Sequence, residues 1–586
     1  MTGFLVNLLS PVFSSLGVSQ ADLTSYIEKL IGYVIAILAL LVVMIVVMVV
    51  AHKAQKGFRH VIRWQAAIAF IAIVAVLVNV ICYGPMYNNV SSVLNAKKVV
   101  LAQETTDQSR ATIQKVAEEG MVLLKNDGIL PLSSDTKKLN VFGWDSTNPL
   151  FGGTGSGSSD SSTAIGILQS LKDAGYETNE SLTKMYTDYR ADRPTIAMAQ
   201  QDWTLPEPTK DYYTDSLMDE AKEYSDTAVV VIGRSGGEGA DLPTDMKSVI
   251  DGSYAKKAEE VSVSPDNYGY VKGSYTNNGD YDDFDEGESY LELSNTEEDM
   301  LDTVCSQFDN VIVVVNANNA MELDWVDKYE QIGAVIFAPV AGATGFEALG
   351  EIINGSVNPS GKTVDTFVKD LTETPYYNNM GLNAYTNVED LKEQIAANDP
   401  AYEGSMGFVN YAEGIYVGYK FYETAAEEGL IKYEDMVQYP FGYGLSYTTF
   451  DKQIENFKDN GDTVTFDVTV ENTGSVAGKD VVEIYYTAPY TNGGIEKAAA
   501  NLIAFEKTDS IEPGESQTKS FTINKEDMAS YDSEGIKISG GGYILEAGEY
   551  TISLRSDSHT VLGEEKFTVD EDIDYNKDGR SSDKTV

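Results

Sequence analysis

A chain of 586 residues and 63.9 kDa exceeds one compact core, and a prior of about one domain per 150 residues implies roughly three or four units. Hydrophobic content of 43%, aromatics at 10% and 50 glycines against 16 prolines exclude a disordered, collagenous or coiled-coil protein. The formal charge of -48 repels phosphate backbones and excludes nucleic acid as a partner, and with two cysteines and three histidines there is neither a disulfide scaffold nor a His-based metal or triad site, so catalysis has to rest on carboxylates.

Behind an N-terminal segment, residues 1–29, Leu30 to Ala51 are 22 consecutive residues without a charge and Trp64 to Tyr83 are another 20. Each is close to the roughly 20 residues that cross a bilayer, so a transmembrane helical hairpin is predicted over 30–83. A cleaved leader would carry a shorter apolar core nearer the start, which makes this an anchor. The connector from His52 to Arg63 holds Lys53, Lys56, Arg59 and Arg63 and no acid. The positive-inside rule places it in the cytoplasm and both termini outside. Residues 1–90 have a net charge of +3 and the remainder -51, so the acidic bulk is expected to be extracytoplasmic. Cys82 at the membrane edge and Cys305 in a globular segment are expected to be unpaired.

After a connecting segment, 84–110, short apolar runs alternate with helical patterns: LNVFGW at Leu139, AVVVIG at Ala228, VIVVVN at Val311 and AVIFAP at Ala334. These read as buried parallel strands. TAIGILQSLKDAG from Thr163 and TEEDMLDTVCSQF from Thr296 read as helices, the second with a capping box made by Ser294 and Glu297. The result is an α/β sandwich domain, mostly parallel, over 111–445. The polar stretch from Lys256 to Ser289 predicts a large surface loop near the strand ends, of a length more often functional than neutral. From 446 to 570, TVTFDVTVENTG, DVVEIYYTAP, TKSFTIN and GEYTISLRSD alternate with period two and predict an all-β sandwich. The tail, 571–586, offers Asp574, Asn576, Asp578 and Gly579 at calcium-loop spacing with Thr585 where a Glu is needed, and reads as a solvated linker.

Ligands of parallel sheets collect at the carboxyl ends of the strands. There AVVVIG runs into RSGGEGAD, Arg234 to Asp241, with Glu238 among three glycines, and the first strand is followed by GGTGSGSSDSS from Gly152. Glycine permits tight turns and close approach of a ligand. An acid in the centre of one turn opposes phosphate, and no Lys or Arg occurs between Lys138 and Lys172. Taken alone, these loops specify a polar, uncharged ligand, and Glu238 fits a helix cap or a solvent-facing acid equally well. A nucleotide-binding membrane protein is weakened by the same features. Tyrosine, 36 residues, suits sugar stacking and sheet packing alike, so no individual Tyr is assigned.

Six blocks, EEGMVLLKNDGILPL from Glu118, FGWDSTNPLFGGTGSGS from Phe142, VVVIGRSGGEGAD from Val229, VNPSGKTVDTF from Val357, YAEGIYVGYKFYET from Tyr411 and YPFGYGLSYTTF from Tyr439, run in order over roughly 460 residues. From about Ala111 to Asp570 the chain resembles the non-barrel part of glycoside hydrolase family 3, the β-glucosidase and β-xylosidase group. The resemblance implies an α/β sandwich followed by a fibronectin type III-like domain. It also implies retaining hydrolysis of terminal β-linked sugars by two carboxylates, with no metal or organic cofactor. By the GEG match, Glu238 is implied as the catalytic acid/base, with Arg234 and Asp241 as substrate contacts. The family often follows this loop with Asp-Arg, whereas Asp241 is followed by Leu242.

The family's nucleophile is an Asp of a separate (β/α) barrel, and about 300 residues of barrel are absent here. Asp324 and Trp325 form the nearest dipeptide to its motif but belong to the pattern of the strand VIVVVN. Some members carry the barrel last, and this chain stops where such a barrel would begin. The expectation is a membrane-anchored, β-glucosidase-like polypeptide acting on an oligosaccharide or glycoside, with the nucleophile supplied by a separate barrel polypeptide. A truncated product, or a non-catalytic cell-surface carbohydrate-binding or scaffold protein, is the alternative.

Overall fold

The computed structural model of the protein describes residues 20–87, 90–91, 102–153, 155–159, 161–197, 200–238, 242–261, 273–276, 282–379, 408–576 and 579–584, with a few positions between 383 and 398. The chain divides into two compact units, residues 1–105 and 106–586.

The first unit is a helical hairpin. Helix α1 (Gln20–Val50) ends in a single 3-10 turn over Ala51–Lys53, and α2 (Lys56–Tyr83) follows almost at once. The connector is therefore shorter than the expected His52–Arg63 loop. Lys56, Arg59 and Arg63 interrupt the uncharged run, but spaced three and four apart they share a helix face, and helical backbone accepts them readily. Arg63 Nε donates to the carbonyl of Met48 at 3.1 Å and ties the two helix ends together. Both helices are long and apolar enough to cross a membrane. Their side chains face outward rather than into a protein core, with Val42 58% and Ile68 62% exposed.

The second unit opens with α3 (Gln103–Gly120), which leads into a six-stranded sheet. Its strands are β1 (Val122–Asn126), β2 (Lys138–Phe142), β3 (Glu177–Thr178), β4 (Thr227–Arg234), β5 (Asn310–Ala317) and β6 (Ile332–Phe337). The order is β1-β6-β5-β4-β2-β3, parallel throughout except for β1, which pairs antiparallel with β6. All four predicted apolar runs are strands. Alternation along them sorts side chains onto two faces. Val229, Val231, Ile312, Val314 and Ile336 pack under α4 (Ile167–Asp173) and α8 (Glu347–Asn354). Val230, Ile232, Val311, Val313 and Val335 pack under α5 (Glu180–Tyr189), α6 (Asp215–Tyr224) and α7 (Asn295–Cys305). The capping box of α7 is formed as expected, Ser294 and Glu297 each closing on the other's backbone N–H. Cys82 and Cys305 are both free thiols.

Described residues of the stretch from Lys256 to Ser289 are in part buried rather than on the surface. Among its described residues, Asp283 and Phe284 are fully buried, and the Ser274 carbonyl accepts from Trp203 N at 2.8 Å.

The β domain has a three-stranded sheet, β7 (Phe450–Asp459), β8 (Thr463–Asn472) and β11 (Ser516–Asn524) in order 7-8-11. Opposite it lies a four-stranded sheet in order 10-9-13-14, from β9 (Val481–Thr487), β10 (Asn501–Lys507), β13 (Gly548–Arg555) and β14 (Val561–Val569). Period two is visible directly in β8, where Val464, Phe466, Val468 and Val470 are buried in the core. Part of the tail is not a solvated linker: β15 (Ile573–Asn576) pairs antiparallel with β12 (Gly542–Leu545). Asp578 lies outside the described residues.

Ion pairs join the two domains of this unit. Asp480 sits between Lys362 and Lys452 at 3.3 and 2.9 Å, and Glu119 at the end of α3 meets Lys479 and Lys507. His559 Nδ1 lies 2.9 Å from Glu423 of α9 (Tyr419–Glu427), with its ring stacked 3.6 Å from Tyr433.

Candidate active site

In the sheet order, β3 lies on one side of β2 and β4 on the other, and the intervening helices cover opposite faces. The connections leaving the carboxyl ends of β2 and β4 therefore part company, which opens a crevice between them. Both glycine-rich loops rise from these two strand ends.

They meet at Glu238. This residue is exposed, and its Oε2 accepts from the backbone N–H of Ser156 at 2.8 Å and from the Ser156 hydroxyl at 2.5 Å. The hydroxyl, and then the N–H, hold the carboxyl below the usual glutamate range, because both contacts favour the charged form. Such proximity requires glycine. Gly155 has φ +64°, and a Cβ there would overlap the Glu238 side chain. A Cβ on Gly153 would lie 3.3 Å from the Gly236 carbonyl oxygen. That carbonyl in turn accepts from Asn318 Nδ2 at 2.6 Å, so the end of β5 supports the turn that carries Glu238.

Arg234 does not reach the loop surface. It is fully buried, and all five of its N–H groups are committed to protein: Nε to the Tyr290 carbonyl at 2.7 Å, Nη1 to the Gly233 carbonyl and Glu297 Oε1 at 2.8 Å each, and Nη2 to the Glu292 carbonyl and Glu297 Oε2 at 2.6 Å each. With no donor left for a sugar hydroxyl, the expected substrate contact is replaced by an anchor under the acid loop. Asp241, with Gly239 and Ala240, lies outside the described residues.

Sequence reasoning missed the acids that support this floor. Asp145 follows β2, lies against Gly233 where a Cβ would overlap its carboxylate, and bonds Arg193. Burial pushes it up to about 6 against the pull of Arg193. Its Oδ2 has no hydrogen-bond partner among the described residues and lines a cavity of about 20 Å³, room for one water. Glu207 accepts from Trp144 N at 2.8 Å and from the Tyr213 hydroxyl, which is 2.8 Å from that of Tyr186, and burial pushes it up to about 8. Asp145 lies inside the block FGWDSTNPL, but nothing in the sequence marks its partner Arg193, and Glu207 lies in none of the blocks. The nearest signal for Ser156 was the glycine-serine run itself. Asp324 and Trp325 have structural partners: Trp325 is buried with Nε1 on the Glu322 carbonyl, and Asp324 pairs with Lys328 at 3.4 Å.

Among the described residues the site thus presents one exposed carboxylate, bonded by Ser156, at the mouth of a strand-end crevice. That arrangement can take up or give a proton, and the carboxylate at its centre repels phosphate while accepting from hydroxyl groups. Among the described residues no group of three or more His, Cys, Asp or Glu is disposed to hold a metal.

Two family models match the chain: the glycosyl hydrolase family 3 C-terminal domain over residues 121–419, just over half of its length, and a fibronectin type III-like domain over residues 480–558. A β-glucosidase of Ruminococcus albus is 32% identical over 465 residues, covering 78% of this chain and 41% of that protein. β-Glucosidase A of Butyrivibrio fibrisolvens is 32% identical over 480 residues, covering 78% and 50%. The structure of β-glucosidase 3B from Thermotoga neapolitana in complex with glucose superposes with a TM-score of 0.61 at 27% identity, covering 81% of this chain and 56% of that one. The chain spans about half the length of the relatives it matches. With the doubly covered sheet, its paired glycine loops and the β domain behind it all matched in order, this chain belongs to glycoside hydrolase family 3.

Proposed function

We propose that the chain is the acid/base half of a membrane-anchored retaining glycosidase acting on terminal β-linked sugars, and that the nucleophile reaches it from a barrel outside these 586 residues. The observation that carries this reading is Glu238, exposed at the carboxyl end of β4 and cradled by the loop after β2. In the first step Glu238 gives its proton to the leaving oxygen. In the second it takes a proton from the water that releases the sugar. Retaining pairs stand about 5 to 5.5 Å apart, so the nucleophile's carrier has to cover this face. Covering it removes water from Glu238 and favours the protonated form that the first step needs. The β-glucosidase relatives support a glucoside as substrate.

The two apolar helices support membrane anchoring, and the basic turn between them supports an extracytoplasmic site. A second reading is a non-catalytic carbohydrate-binding or scaffold protein, in which Glu238, held by Ser156, serves only as a ligand contact. Leaving-group dependence tests the first reading. In the full chain supplemented with a family barrel polypeptide, Glu238→Gln should lose about 10²- to 10⁴-fold on glycosides with poor leaving groups and far less on dinitrophenyl glycosides, which need no acid. Equal losses on both, or none, would sink the acid/base role.

A further inference from the structure

We propose that Ser156 is the positioning residue for the acid/base: it donates both its backbone N–H and its hydroxyl to one oxygen of Glu238 and fixes the carboxylate over the crevice. This rests on the reading of Glu238 given above. The two donors come from a loop 82 residues away in sequence, one that leaves a different strand. An exposed carboxylate without fixed donors exchanges its partners with water. Here the partner is locked by its own fold: Gly153 N donates to the Gly157 carbonyl at 3.1 Å and Ser158 N to the Gly155 carbonyl at 3.2 Å, closing a tight turn around Ser156. Gly155, in the left-handed region at φ +64°, removes the side chain that would otherwise separate the two loops. The floor beneath is equally fixed, by Asn318 on Gly236 and by the five bonds of Arg234.

Oε2 accepts both a backbone N–H, which cannot turn away, and the Ser156 hydroxyl. Ser156 therefore acts through Glu238 and need touch no substrate. Both donors favour the charged form and so hold the carboxyl below the usual glutamate range.

The test is the titration of the Glu238 carboxyl in the full-length protein in detergent micelles, followed by carbon NMR with carboxyl-labelled glutamate. The resonance is identified by its loss in Glu238→Gln. Ser156→Ala should move the titration to higher pH, whereas Ser156→Thr, which keeps the hydroxyl, should titrate with the wild type. A Ser156→Ala protein titrating where the wild type does, or a Ser156→Thr protein shifted as far as the alanine variant, overturns the proposal. Failure of the acid/base reading looks different: Glu238→Gln then keeps turnover in the barrel-supplemented protein, while the effect of Ser156→Ala on the titration persists.

Discussion

Removing Arg234 separates an anchor from a sugar contact. The guanidinium has no exposed side-chain surface and its partner Glu297 is 6% exposed, so Arg234→Met leaves a buried carboxylate without its counter-charge and three carbonyls without donors. Breaking one side of a buried pair costs about 3–5 kcal/mol. The double variant Arg234→Met/Glu297→Gln removes the stranded charge and should recover at least about 1 kcal/mol of that loss. The assay is urea unfolding of the full chain followed by tryptophan fluorescence. Three of the four tryptophans, Trp144, Trp203 and Trp325, sit in the core that Arg234 borders, so the signal reports this domain. An unchanged midpoint in Arg234→Met, with glycoside binding abolished, would refute the anchor and restore a substrate contact.

Other interfaces give independent expectations. Although burial pushes the Asp480 carboxyl up, Lys362 and Lys452 hold it below the usual range. Its contribution to stability is therefore present above the unfolded value near 3.8 and is lost as pH falls through the folded one. Asp480→Ala should cost about 3–5 kcal/mol in unfolding experiments at neutral pH, because two lysines lose their shared partner. The Glu423 hydrogen bond raises His559, with Asp557 adding to the shift and Arg555 opposing it. That contribution is complete below the unfolded value of 6.5 and fades as pH rises through the folded one, so His559→Gln should flatten the stability profile above the unfolded value. Gly155→Ala should force the two glycine loops apart, read as exchange of the Ser156 amide with solvent deuterium at a rate well above wild type. Cysteines placed at Lys53 and at Val364 should react with a membrane-impermeant thiol reagent only at Val364 in intact cells; labelling of Lys53 alone would invert the topology.

The strands could be read because burial on both faces leaves continuous apolar runs, and the β domain because burial on one face leaves strict alternation. β1 escaped notice: five residues following directly on a helix carry no period, and their antiparallel partner β6 lies more than 200 residues away. The two-residue β3 is equally silent. Charge misled the placement of α2, whose backbone starts at Lys56 although the uncharged run starts at Trp64. Glu238 was marked by its glycines, but the role of Arg234 was not visible, since its partner Glu297 sits 63 residues on and presents itself in sequence only as half of a capping box. Asp145 sits in the block FGWDSTNPL without a sign of its partner Arg193, Glu207 belongs to no block, and only the folded chain sets Asp145 against Gly233 and Glu207 against Trp144.

The central claim is that this chain supplies the acid/base while the nucleophile lies elsewhere. It is tested most directly by incubating the full-length protein and its Glu238→Gln variant with chromogenic β-glucosides and β-xylosides, with and without a family barrel polypeptide. The account predicts no turnover by either protein alone, and turnover by the wild type once the barrel is added. Turnover by the wild type alone, lost in Glu238→Gln, would contradict it by showing that a nucleophile is carried within these residues.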